Sequence, residues 1–67
     1  MLEVKVNGES KSISGATSIS QLIHDMDLLD KRIAVEVNGE IIPSSQHSTH
    51  LLKEHDNIEI VGAIGGG

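Results

Sequence analysis

Apolar and polar positions alternate at both ends of this chain and change period in between. Leu2, Val4 and Val6 alternate with Glu3 and Lys5, the period of two of a strand with one buried face. Asn7-Gly8 follows, a pair suited to the positive φ angles of a tight hairpin turn. The pattern predicts a second strand around Ser10 to Ser14. Ile13 is its only apolar residue, so it is expected at a sheet edge. Ser18 and Gln21 then have the spacing of a capping box, in which a side-chain oxygen holds the N3 amide and Gln21 reaches back. Ile19, Leu22, Ile23 and Met26 fall at i, i+3, i+4 and i+7. That is the apolar stripe of a short amphipathic helix, with Ser20, Gln21, His24 and Asp25 towards water. The pattern fades after Asp27, where Leu28 and Leu29 are expected to seal the helix end.

The two-residue period returns at Ile33, Val35 and Val37, and Asn38-Gly39 gives a second hairpin signal. Glu40 to Ile42 makes a short fourth strand. Pro43 ends it or confines it to an edge, because proline has no amide to donate. Ser44 to His50 is polar and reads as a loop with room for one helical turn; Leu51 and Leu52 return to the core. Ile58 and Ile60 alternate with Glu59 in a last strand that runs on towards Val61. The order is strand, strand, helix, strand, strand, strand, and one helix covers only one face of such a sheet. Leu2, Val4, Val6, Ile19, Leu22, Ile23, Met26, Val35, Val37, Ile58 and Ile60 are expected to supply most of the core. Glu59 and Val61 then point outward, and Ala34 and Glu36 share that outer face.

The 67 residues allow one domain. There is no Phe, Tyr or Trp, so the core is aliphatic, and there is no Cys, so neither a disulfide nor a thiolate metal site is available. The formal charge of −5 repels phosphate backbones. Together with the missing aromatic platforms, it argues against nucleic-acid binding. The first residues lack the basic and apolar regions of a signal peptide. No apolar run is long enough to span a bilayer, so the expectation is a soluble cytoplasmic protein without membrane contact.

Candidate chemistry is sparse. His24, His47, His50 and His55 lack the carboxylate pair or Cys that would complete a metal site, and read as solvated surface histidines. The serines form no Ser-His-acid arrangement. Gly8, Gly15 and Gly39 are separate turn glycines, not a phosphate-binding loop. What remains is Gly65-Gly66-Gly67. On its own such a run also describes a frayed terminus or a linker.

Three segments together carry more information: Val37-Asn38-Gly39-Glu40-Ile41-Ile42-Pro43, Asp56-Asn57-Ile58-Glu59-Ile60-Val61 and Ala63-Ile64-Gly65-Gly66-Gly67. They resemble the ThiS family of sulfur carriers of thiamine thiazole synthesis, and the resemblance covers essentially the whole chain. It implies an α+β fold, the ubiquitin-like β-grasp, with a mixed sheet packed on one main helix. Residues 1–64 would form the domain and 65–67 a flexible glycine tail. It also implies that a ThiF-type adenylating enzyme activates the Gly67 carboxylate with ATP. A persulfide sulfur then displaces AMP, and the resulting thiocarboxylate supplies a thiazole synthase. The carrier binds no cofactor itself; ATP and the sulfur donor act through its partner enzymes. Gly65 and Gly66 would be the thin arm behind the reacting carbon, free of Cβ atoms and able to thread a narrow channel. Residues 61–67 extend at most about 25 Å. The outer residues Ala34, Glu36, Glu59 and Val61 are the expected partner-binding face. One departure stands out: His55-Asp56 occupies a turn where the family usually has Gly-Asp.

Three other functions fit the same pattern. The small subunit of molybdopterin synthase also ends in Gly-Gly, a ubiquitin-like modifier would conjugate to lysine, and a non-covalent β-grasp binding module would need no free Gly-Gly end. The chain is expected to be a co-substrate of enzymes and not an enzyme.

Overall fold

The computed structural model describes residues 1–28 and 31–62. Both Asn-Gly pairs turn the chain as their sequence predicts. Asn7 and Gly8 have φ of 53° and 87°, and Asn38 and Gly39 have 54° and 90°. Two successive positive φ angles define the type I′ turn, whose twist matches that of the strands it joins. The first turn joins β1 (Leu2–Val6) to β2 (Glu9–Ile13), and the second joins β3 (Ile33–Val37) to β4 (Glu40–Ile42). Helix α1 (Ile19–Asp25) lies between the hairpins in sequence, and β5 (Asn57–Gly62) comes last. The sheet order is β2-β1-β5-β3-β4. β5 runs parallel to β1 and antiparallel to β3, so the last strand occupies the centre of a mixed sheet.

Each end of α1 is satisfied by a specific device. At the start, Ser18 Oγ accepts from the Gln21 amide at 3.1 Å. The Ile19 and Ser20 amides donate to the His50 and His47 carbonyls at 3.1 and 2.9 Å. The loop before β5 thus supplies acceptors that a helix N-terminus otherwise lacks. The reverse bond of a capping box, from Gln21 to the Ser18 amide, is not made among the described residues. At the other end, the Leu28 amide donates to Ile23 O and the Asp27 amide to His24 O. Asp27 has φ 62°. These two bonds around a left-handed residue are the Schellman motif, in which Leu28 returns to pack beside the helix. Leu28 does lie against the core, and this stops the helix at Asp25. Leu29 lies outside the described residues.

The core joins α1 to one sheet face. Ile19, Leu22 and Ile23 meet Val4, Val6, Val35, Val37, Ile58 and Ile60, as the periodicities predict. Ile13, Ile42 and Leu52 complete it. Leu2 and Met26, expected among the core residues, are only half-buried and pack at its margin. Met26 caps the helix, so its side chain stands where the helix leaves the sheet.

Other differences have local causes. β2 spans Glu9–Ile13 and not 10–14, because a two-residue turn pairs Glu9 with Val6. Leu51 is exposed although Leu52 is buried. Leu51 pairs with Ser18 in an isolated antiparallel bridge, and an extended chain cannot turn successive side chains the same way. His47 is not solvated: it is buried, and its Nε2 lies 2.9 Å from the Ile42 carbonyl oxygen. A carbonyl only accepts, so Nε2 carries the proton and donates. This ties the 3₁₀ turn Ser44–Gln46 and its following residue back to β4, where Pro43 ends the strand.

Removing the Leu22 side chain to the β-carbon (Leu22→Ala) should cost roughly 2–5 kcal/mol in chemical denaturation, the range for a fully buried leucine. Asp27 and His55 hold φ of 62° and 69°, which glycine adopts without steric cost. Asp27→Gly and His55→Gly should therefore each raise stability by about 0.5–1 kcal/mol, the left-handed penalty less the added freedom of the unfolded chain.

Candidate functional site

β5, the last described strand, occupies the centre of the sheet and ends at Gly62. Its neighbours hold it with more than ladder bonds. The Asn7 amide donates to Ile58 O at 2.8 Å, and Asn7 Oδ1 accepts from the Ile60 amide at 2.7 Å. On the other edge, the Asn38 amide donates to Asn57 O at 2.8 Å, and Asn38 Oδ1 accepts from the Asn57 amide at 2.9 Å. At each turn the asparagine lies in the left-handed region, and no β5 amide donates to its backbone carbonyl among the described residues. The asparagine side-chain oxygen accepts in its place, so the ladder continues one step past the strand. The carboxylate of buried Asp56 fixes the second asparagine, accepting from Asn38 Nδ2 at 3.0 Å and from the Lys53 amide at 2.8 Å. The Asp56 carbonyl accepts from the Lys5 amide, and the His55 amide donates to Glu3 O, which starts the parallel pairing of β5 with β1. His55 thus takes the left-handed place that its turn requires.

The outer face of β3 and β5 is the second part of the site. Ala34 stands opposite Val61, and Glu36 opposite Glu59. The four residues expected on one face are therefore adjacent. Val61 and Glu59 are exposed, and Ala34 and Glu36 are half-buried. Ile41 extends the same face from β4, where it pairs with Glu36 and is 61% exposed. The sequence reading left Ile41 out. The signal was present: in Glu40-Ile41-Ile42 only one isoleucine can face the core, and the two-residue turn pairs Ile42 with Val35 and Ile41 with Glu36.

Gly65, Gly66 and Gly67, the expected tail and acceptor, lie outside the described residues, as do Ala63 and Ile64. The last described strand ends at Gly62 on an exposed position. Residues 63–67 span about 17 Å when extended. Among the described residues no three His, Asp or Glu side chains converge to hold a metal. His24 and His55 are exposed and His50 is half-buried. The first three amides of α1 are already bonded within the chain, so the helix start offers no open donors to a phosphate. No helix among the described residues is long and apolar enough to cross a membrane.

A five-stranded mixed sheet with a parallel central pair, grasping one helix, defines a ubiquitin-like β-grasp domain. The crystal structure of the thiamine biosynthesis protein ThiS from Geobacter metallireducens has the same fold. Its TM-score is 0.85 at 22% identity, covering 98% of this chain and 100% of that one. The chain belongs to the ThiS family, whose model matches residues 4–67. It is 21% identical over 66 residues to the sulfur carrier protein ThiS of Escherichia coli K12, across all of that protein. It is also 32% identical over 66 residues to a thiazole synthase of Paramagnetospirillum magneticum. The match covers 98% of this chain but only 20% of that synthase, so the chain spans about a fifth of that relative's length.

The asparagine clamp can be tested apart from the turn that carries it. Asn7→Gly keeps the positive φ but leaves the Ile60 amide without its acceptor. It should cost about 1–3 kcal/mol, the penalty of an unpaired donor. It should also speed hydrogen exchange at Ile60, whereas Asn7→Asp, which keeps an acceptor oxygen, should retain most of the protection.

Proposed function

We propose that this chain is a sulfur carrier of thiamine biosynthesis whose reacting group is the Gly67 carboxylate. The observation that carries this reading is the family match, which runs from the first strand through the terminal glycines. The full-length similarity to a sulfur carrier protein supports it. In this reading the domain's part is to present that carboxylate.

The partner supplies the rest. A carboxylate oxygen of Gly67 attacks the α-phosphorus of ATP, pyrophosphate leaves, and an acyl adenylate forms. A persulfide sulfur then displaces AMP from the acyl carbon. A second thiol takes the donor sulfur into a disulfide and releases the thiocarboxylate. Gly65 and Gly66 serve as the arm: without Cβ atoms they fit a narrow channel in the adenylating enzyme. The outer face, Ala34, Glu36, Glu59 and Val61, is the docking surface for that enzyme in this reading. The carrier acts in the cytoplasm and holds no cofactor; ATP and sulfur come through its partners.

A thiazole synthase is the proposed recipient of the sulfur. The same 66-residue span lies within longer chains named thiazole synthase in Paramagnetospirillum magneticum and Magnetococcus marinus. Joining two modules in one chain raises their effective concentration for each other, which benefits modules that must meet. The small subunit of molybdopterin synthase, a lysine-conjugating modifier and a non-covalent binding module have no comparable support.

C-terminal amidation of Gly67 keeps the reach of the tail and removes the attacking oxygen. The amidated chain should keep its circular dichroism and lose ATP–pyrophosphate exchange with the adenylating enzyme. Deleting Gly67 retracts the carboxylate by about 3.5 Å. It should lower exchange by roughly a hundredfold or more. Exchange by the amidated chain at the unmodified rate would exclude Gly67 as the reacting group.

A further inference from the structure

Glu36 and Glu59 face each other directly across β3 and β5. Like charges so placed on neighbouring strands destabilise a sheet. Among the described residues neither carboxylate has an ion-pair partner. Lys5 shares the outer face by alternation but stands opposite Asn57, displaced from both. Glu36 is half-buried, so solvent screens the repulsion only in part. Towards β4 and the end of β5 the face is aliphatic: Ile41 flanks Glu36 on β4, and Ala34 with Val61 forms the next rung. Ile41 and Val61 are 61% and 51% exposed, large for aliphatic side chains in so small a domain.

We propose that this face docks a protein partner that places one arginine guanidinium between Glu36 and Glu59 and packs aliphatic side chains on Ile41 and Val61. The inference rests on the carrier reading, in which the partner is the adenylating enzyme. Charge complementarity selects the occupant. A guanidinium presents five donors in a planar fork and can bond two carboxylates at once, whereas an ammonium is a point charge. A bridging cation turns the repulsion of the free domain into attraction in the complex. A second copy of this chain is the wrong occupant, because stacking two such faces would gather four carboxylates in a desolvated layer. The pair therefore also keeps an aliphatic face from self-association, at some cost to the stability of the free domain.

The test combines calorimetric binding to the adenylating enzyme at low and high salt with thermal unfolding. It compares the wild-type chain with the double variant Glu36→Gln, Glu59→Gln. The double variant should melt higher than wild type, since the repulsion is gone. It should bind roughly tenfold more weakly or worse at low salt, and lose most of the salt dependence. Unchanged affinity and salt dependence, with the wild type still binding and supporting pyrophosphate exchange, would overturn the arginine bridge and leave the carrier reading intact. A wild-type chain that neither binds nor supports exchange would overturn both. A concentration-dependent dimer of the wild type that Val61→Asp abolishes would assign the face to a second copy and overturn the proposal as well.

Discussion

The last strand of this domain is also its central one, and its pairing on both edges is the constraint on which the rest depends. β5 joins the first hairpin to the second, since β1 and β3 each pair with it. Without it the sheet would be two separate two-stranded hairpins, which are marginal in water by themselves. The pairing is long-range, and the two asparagine side chains extend it past the points where β1 and β3 turn away. Packing follows from this. Ile58 and Ile60 reach the core only because β5 sits between β1 and β3, in a register that aims them at Ile19, Leu22 and Ile23.

The same constraint fixes where the last described residue of the sheet's central strand lies. Asn7, Asn38 and Asp56 act near the start and middle of β5, and its last described residue, Gly62, still pairs with Ile33. For the proposed function a fixed strand end matters, because each partner enzyme would then dock one surface and find the chain's end at a known place. The outer face beside that strand end belongs to β3 and β5 as well. Its Glu36–Glu59 pair sets two like charges opposite each other, a local conflict in an otherwise regular sheet.

Much of this was legible in the chain. The alternation at Leu2, Val4, Val6 and at Ile33, Val35, Val37, together with two Asn-Gly pairs, specified both hairpins, and Ser18 with the apolar stripe located α1. Placing Ala34, Glu36, Glu59 and Val61 on one face needed only the two-residue period. The rest depended on contacts distant in sequence. That Asn7 and Asn38 grip β5 requires knowing which strand lies beside each turn. The burial of His47 comes from a bond to Ile42 that no periodicity encodes, since residues 43–50 have none. The exposure of Leu51 comes from a single bridge to Ser18. The Schellman turn at Asp27 was hidden because aspartate stands where glycine would announce it.

Sulfur transfer to the Gly67 carboxylate changes the mass of the intact chain, so mass reads the proposed reaction directly. The chain would be incubated with an adenylating enzyme, a persulfide donor and a thiol, and its intact mass measured with and without ATP. One terminal oxygen should be replaced by sulfur, only when ATP is present, and fragmentation should place the change on Gly67. An unchanged mass with an enzyme that converts an established carrier under the same conditions would contradict the proposed reaction, as would sulfur found anywhere else in the chain.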